Sequence, residues 1–150
     1  MRLTNGLRQR AMDGNPIGVG LIGCGKFATM FLAQAARTPG IAIRTIADLD
    51  PTAARAKVAA STRLDPEGIR FVDNAQAAID DDSVELIIEA TGDPMQGTAH
   101  ALAAIEARRH VLMVNVEADV LCGPALAKRA RHRDVVYSMA YGDQPALIVE

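Results

Sequence analysis

The stretch from Ile17 to Met30, IGVGLIGCGKFATM, decides the fold. Val19, Leu21 and Ile22 supply the apolar run of a buried strand, and Gly23, Gly25 and Ala28 then spell GxGxxA ahead of a helix that starts near Lys26. In such a turn the first glycine permits the sharp change of direction. The second removes a side chain that would block a pyrophosphate, and the small third residue lets helix and strand pack closely. The unpaired N–H groups of the helix's first turn and the positive end of its dipole favour an anion at the same place. The spacing therefore makes Gly23, Cys24, Gly25, Lys26, Phe27 and Ala28 the candidate residues for holding a dinucleotide.

An acid at the right distance supports this. Asp48 lies 20 residues beyond Ala28, at the end of the next apolar run, Ile41 to Ala47. There it would accept hydrogen bonds from the adenosine ribose hydroxyls, which locally favours NAD, because a 2′-phosphate would meet a like charge. Leu49 beside it offers no cation, while Arg55 and Lys57 on the following helix are the residues that could swing toward such a phosphate. The cofactor expectation is thus NAD or NADP.

The rest of the chain repeats the pattern. Strands are expected at 41–47, 70–72, 84–90, 110–115 and 135–139, and helices after Lys26, after Asp50-Pro51, from the Asp73 cap through Ile79, from Met95 to Arg108, and after Gly123-Pro124. Six strands with helical crossovers fit an α/β, doubly wound parallel sheet of the Rossmann kind. The expected strand order is 3-2-1-4-5-6, with the ligand over the carboxyl ends of the first and fourth strands. Residues 1–16 read as an N-terminal extension with Leu3, Leu7 and Ala11 at helical spacing, either capping the sheet or touching another subunit, or loosely held. Residues 17–150 read as the dinucleotide-binding domain. A last helix begun at Pro145 and ending at Glu150 is little more than one turn, so the chain reads as the first domain of a longer protein.

Composition narrows the partners. The 150 residues carry 49% hydrophobic residues, enough for one cored domain. Lys and Arg number 16 against 18 Asp and Glu, so no basic field points to nucleic acid or an anionic membrane. Cys24 and Cys122 form no CxxC, and His100, His110 and His132 show no ligand spacing, so no metal site is expected. There is no apolar segment of signal or transmembrane type, and a cytoplasmic, homo-oligomeric protein acting on a small molecule is the expectation.

Polar residues beyond the glycine turn are fewer. Thr91 and Gly92 follow the fourth strand, where such folds face the nicotinamide half of the cofactor, and Asp93 before Pro94 is also an ordinary helix cap. Asn115 and Glu117 follow the fifth strand and are the polar residues best placed to face a substrate or the nicotinamide amide. Glu117 reads equally as a cap for the turn through Ala118 and Asp119. Cys24 reads as either spacer or sensor.

Four segments, GLIGCGKFATMF, IADLDP, VELIIEATGDP and HVLMVNVEADVLCGPAL, resemble the cofactor domain of homoserine dehydrogenase-like oxidoreductases. The combination of EATGDP, VNVEADVLCGPAL and YGDQPALIVE is similar to the subgroup with a C-terminal SAF-type domain, which includes enzymes called 1-deoxy-D-xylulose 5-phosphate reductoisomerase-like. The resemblance implies the pyrophosphate turn at Gly23, Gly25 and Ala28, the ribose position at Asp48 and the turn by the nicotinamide at Thr91-Gly92. It also implies NADPH as cofactor and a divalent metal held by a second domain. Asn115 matches the asparagine that homoserine dehydrogenases place before a lysine, but Val116 stands where that lysine would be. The departure argues against homoserine as substrate and leaves Glu117 as the candidate catalytic residue.

Overall fold

The computed structural model describes residues 3–140. The expected helix at Pro145 and the YGDQPALIVE segment lie outside the described residues. Six strands, β1 (Ile17–Ile22), β2 (Ile41–Ala47), β3 (Arg70–Val72), β4 (Leu86–Glu89), β5 (His110–Met113) and β6 (Tyr137–Met139), form one parallel sheet in the order β3-β2-β1-β4-β5-β6. The helices are α1 (Leu3–Met12), α2 (Lys26–Ala35), α3 (Pro51–Ser61), α4 (Ala75–Ile79), α5 (Pro94–Glu106) and α6 (Val116–His132), with a 3-10 turn at Pro66–Gly68.

A parallel sheet must be covered on both faces, and two separate apolar cores do this. Val19 and Leu21 of β1, with Ile43 and Ile46 of β2, pack under Ala28 and Leu32 of α2 and Ala54 and Val58 of α3. Ile22, Ala47, Ile87 and Met113 pack under Ala78, Ala101, Ile105, Ala118 and Leu126, from α4, α5 and α6. Ile43 and Ile46, three apart, share a face because the β1–β2 register slips between Val19 and Gly20, which leaves Arg44 as an extra residue. In α2 the buried residues are Ala28, Leu32 and Ala35, while Met30 is exposed.

Several boundaries differ from the sequence reading. The cap of α4 is Asn74, whose side chain accepts from the Ala77 N–H, and Asp73 instead accepts from the Asn74 amide. α6 begins at Val116, eight residues before Pro124, because Asn115 caps it. Pro124 sits inside the helix and leaves the carbonyl of Val120 without its usual donor, on a solvent-facing side where Val120 and Leu121 are exposed. β5 accordingly ends at Met113, and β4 spans Leu86–Glu89 rather than 84–90.

The N-terminal segment is docked at the end of the sheet away from the carboxyl ends. The backbone of Leu7 lies against Gly40, where a Cβ would come within 2.0 Å of the Leu7 carbonyl oxygen. Arg10 donates to Glu85, which precedes β4, at 2.5 Å and to the Asn15 carbonyl at 2.8 Å.

Close approach of backbones explains a glycine that the sequence reading passed over. A Cβ on Gly18 would lie 1.7 Å from the Ser83 carbonyl oxygen, so the 83–84 segment rests directly on β1. Gly18→Ala is therefore expected to destabilise the fold by about 2 kcal/mol or more. Urea denaturation followed by circular dichroism checks this.

A cleft at the carboxyl ends of the strands

A cleft of about 660 Å³ opens over the carboxyl ends of the first four strands. It is lined by the glycine turn after β1, by Ala47, Asp48 and Leu49 after β2, by Asp73 to Ala75 after β3, and by Ala90, Thr91 and Asp93 after β4. Lys57 of α3 and Gln96 and His100 of α5 complete it.

The two glycines of the motif do different work. Gly23 takes φ +90°, a conformation that costs any residue with a Cβ, and a Cβ there would come within 2.8 Å of the Ala90 carbonyl oxygen and 3.0 Å of the Thr91 Cα. Its N–H donates to the Ala47 carbonyl at 2.8 Å, so this residue ties together the chain leaving β1, β2 and β4. Gly25 has an ordinary φ of −81°, and a Cβ on it would meet nothing within 4 Å. It is the N-cap of α2 and has no side chain to satisfy the first-turn N–H groups of Lys26, Phe27 and Ala28. Open space in front of uncapped helical N–H groups is what a pyrophosphate requires, and the residues present fit one. Lys26 is exposed, Phe27 packs against the α2 core, and Ala28 is buried against the sheet.

Asp48 joins this turn to β2. One carboxylate oxygen accepts from the Cys24 N–H at 2.7 Å, and the other accepts from the Asp50 N–H at 3.0 Å. Each oxygen retains lone-pair capacity toward the cleft. Across from it Lys57 donates to the Cys24 carbonyl at 2.5 Å, whereas Arg55 is committed elsewhere: it pairs with Glu67 and lies 5.6 Å over the Phe71 ring. Of the two cations considered for a phosphate, the fold brings Lys57 into the cleft and turns Arg55 away. Leu49, 97% exposed, is an apolar rim beside Asp48. Cys24 is buried, and burial pushes its thiol pKa up against the opposing effect of Lys57, with Asp48 adding to the rise. That leaves it a protonated thiol of low reactivity.

The β4 side is built on a buried acid. Glu89, the last residue of β4, is 0% exposed; one of its oxygens accepts from the Thr91 hydroxyl at 2.6 Å and from the Thr91 N–H at 3.3 Å. Thr91 is thereby fixed under the turn, and Gly92 takes φ +80°. Asp93 caps α5 by accepting from the Met95 and Gln96 N–H groups, both at 2.9 Å.

Residues after β5 take no part in the cleft. Asn115, expected to face the nicotinamide or a substrate, is only 3% exposed: its amide donates to the Asp93 carbonyl at 2.8 Å and its oxygen accepts from the Ala118 N–H at 3.1 Å. It caps α6 and ties it to the start of α5, because an amide can be donor and acceptor at once. Glu117 lies exposed in the first turn of α6 and does not line the cleft. His110 accepts from the Val136 N–H, and among the described residues no group of three or more His, Cys, Asp or Glu is placed to hold a metal ion. Nor, among them, is any helix long and apolar enough to cross a membrane. The sequence reading missed Glu89, inside what reads as an apolar strand, and gave His100 no role at the cleft. The one signal for Glu89 is an acid two residues before a Thr-Gly turn.

Solved structures share this fold. GenD2 from gentamicin A biosynthesis, in complex with NAD, superposes with a TM-score of 0.72 at 22% identity, over 83% of this chain and 34% of its own. The WlbA dehydrogenase of Chromobacterium violaceum, in complex with NADH and UDP-GlcNAcA, gives 0.69 at 20%, over 83% and 35%. Homoserine dehydrogenase of Staphylococcus aureus gives 0.67 at 16%, over 85% and 33%. The chain thus spans about a third of the length of these proteins, and at such identities the likeness is one of fold. No curated protein matches the chain. The family described as "Oxidoreductase family, NAD-binding Rossmann fold" (Gfo/Idh/MocA) matches residues 17–115, the whole span from β1 to the cap of α6, and the chain belongs to that family.

Proposed function

We propose that this chain holds NAD(P)H for an oxidoreductase that reduces the carbonyl of a small phosphorylated sugar such as 1-deoxy-D-xylulose 5-phosphate. The open cradle in front of Gly25, at the uncapped end of α2, is the observation that supports the cofactor part of this reading. The substrate part rests on the resemblance of EATGDP and VNVEADVLCGPAL to reductoisomerase-like enzymes. A bound nicotinamide supplies the hydride. The chain's own residues bind and orient: the α2 N–H groups take the pyrophosphate, Asp48 the ribose, and Lys57 the added charge of a 2′-phosphate where one is present.

Because the relatives extend well beyond the matched region, we place substrate-holding groups, and the divalent metal a reductoisomerase would use, outside these 150 residues. Homoserine is the less favoured substrate, since Val116 stands where the resemblance puts a lysine. A nucleotide-sensing module without turnover is the second reading. It is favoured by the absence from the cleft of Glu117, the one acid–base candidate read after β5.

The two glycines give a paired test of the cradle. Gly25→Val is expected to abolish NAD(P)H binding while changing stability by only about 1 kcal/mol, since its backbone is unstrained and the space is open. Gly23→Ala is expected to destabilise the fold by about 2 kcal/mol or more. Calorimetric titration and thermal melts separate the two effects.

Cofactor choice should divide between Asp48 and Lys57. Asp48→Ala is expected to weaken NADH more than NADPH, and Lys57→Ala to weaken NADPH more than NADH, by roughly tenfold each. Dissociation constants for both cofactors in both variants decide it. With 1-deoxy-D-xylulose 5-phosphate and magnesium, the 150-residue chain is expected to bind NADPH and show no oxidation at 340 nm. Turnover would contradict the placement of the substrate groups, and failure to bind either cofactor would remove the cradle.

A further inference from the structure

The β4 end holds a polar pair, Glu89 and His100, to which the cofactor reading gives no part. One oxygen of the fully buried Glu89 accepts from the Thr91 hydroxyl at 2.6 Å and from the Thr91 N–H at 3.3 Å, and His100 Nδ1 lies 3.3 Å from the same oxygen. An oxygen that accepts from both groups of Thr91 is an acceptor toward the imidazole too, so Nδ1 carries the proton. The carboxylate is held in place: its other oxygen is buried, and a Cβ on Gly97 of α5 would lie 3.0 Å from it. The His100 side chain is 19% exposed, lines the cleft, and makes no hydrogen bond through Nε2 among the described residues.

The order of strands in the sheet says which part of a dinucleotide meets this pair. β2, β1 and β4 are consecutive neighbours, and adjacent strands lie about 4.8 Å apart, so successive parts of a ligand laid across their ends meet successive strands. The adenosine ribose at Asp48 takes the end of β2, and the pyrophosphate at the glycine turn takes the end of β1. The next part, the nicotinamide ribose, then falls at the end of β4, where Glu89 is the last strand residue and Thr91 opens the turn. The nicotinamide ring lies one step further, toward β5, and no residue from the end of β5 or from α6 lines the cleft.

We propose that His100, held by Glu89 at the β4 end, hydrogen-bonds a hydroxyl of the nicotinamide ribose. A ribose hydroxyl donates to the Nε2 lone pair of a neutral imidazole and accepts from the Nε2 proton of a charged one, so the contact holds in either protonation state. Thr91 cannot donate in its place, since its hydroxyl proton goes to Glu89. Glu89 is a positioning residue that fixes the tautomer and the ring, and His100 is the residue that meets the sugar.

This rests on the cofactor reading, and the experiment separates the two. The full chain and its His100→Ala variant are titrated at pH 8 with NADH, with ADP-ribose, which lacks the nicotinamide, and with ADP, which lacks the second ribose as well. If NADPH binds more tightly than NADH, the 2′-phosphorylated forms of all three are used. The variant is expected to lose about tenfold for the dinucleotide and for ADP-ribose, the worth of one good hydrogen bond, and less than twofold for ADP. Nitrogen-15 spectra of the wild-type imidazoles give a readout that needs no variant and decides alone if His100→Ala does not fold. His100 in the free chain should be protonated at Nδ1, and its Nε2 should shift with ADP-ribose and not with ADP. A loss that includes ADP in a variant of unchanged circular dichroism, a loss for the dinucleotide alone, no loss for any ligand, or an unmoved Nε2 would each overturn the assignment to the ribose. A proton on Nε2 but not on Nδ1 in the free chain would overturn the role of Glu89. If the wild type binds none of the three, the cofactor reading itself falls, and this one with it.

Discussion

The cleft depends on how closely the chain leaving β1 can approach the chain leaving β4. At Gly23 the two backbones meet with no room for a Cβ, and the same residue donates to the end of β2. Three strand ends are thereby held in one plane of approach, and the helix that follows is aimed so that its first N–H groups open onto the cleft. A methyl group here would push the β4 turn away and with it Thr91, whose position is also set from below by Glu89. The geometry of an anion site is thus fixed mainly by backbone contact, which no side-chain substitution elsewhere readily restores.

Around that contact the polar groups divide into those that hold the protein together and those that remain available. Asp93 and Asn115 are consumed by helix ends, and Asn115 also bridges α5 and α6. Asp48 is partly consumed, since it fastens the glycine turn to β2, yet it keeps acceptor capacity at the rim. Lys57 and His100 each make one hydrogen bond to protein and line the cleft. The first group accounts for the rigidity of the rim, and the second is where selectivity between ligands can arise.

Much of the fold was legible because its signals are local. The glycine spacing, the Asp50-Pro51 start and the alternation of apolar runs with alanine-rich segments rest on neighbouring residues, and they led to the observed strand order. Capping was legible for Asp93, where proline follows, and misjudged between Asp73 and Asn74, since adjacent polar residues are both competent and backbone geometry chooses. Asn115 was placed at the right corner but given the wrong neighbours, because which side of a turn an amide faces is set by helices whose caps lie 22 residues apart in sequence. Glu89 was hidden for a similar reason: its partners Thr91 and His100 lie on the turn and the helix that follow, and a lone acid at a strand end carries no mark of burial. Gly18 looked like an ordinary strand residue until Ser83 was seen to rest on it.

Backbone amide exchange with and without saturating NAD(P)H tests the central claim most directly, because the cradle is made of N–H groups. The account predicts slowed exchange at Cys24 to Thr29 and at Thr91 to His100, with Val116 to Val120 unchanged, since that corner lies outside the cleft. Protection confined to the β5 and β6 ends, or none at the glycine turn under saturating cofactor, would contradict it.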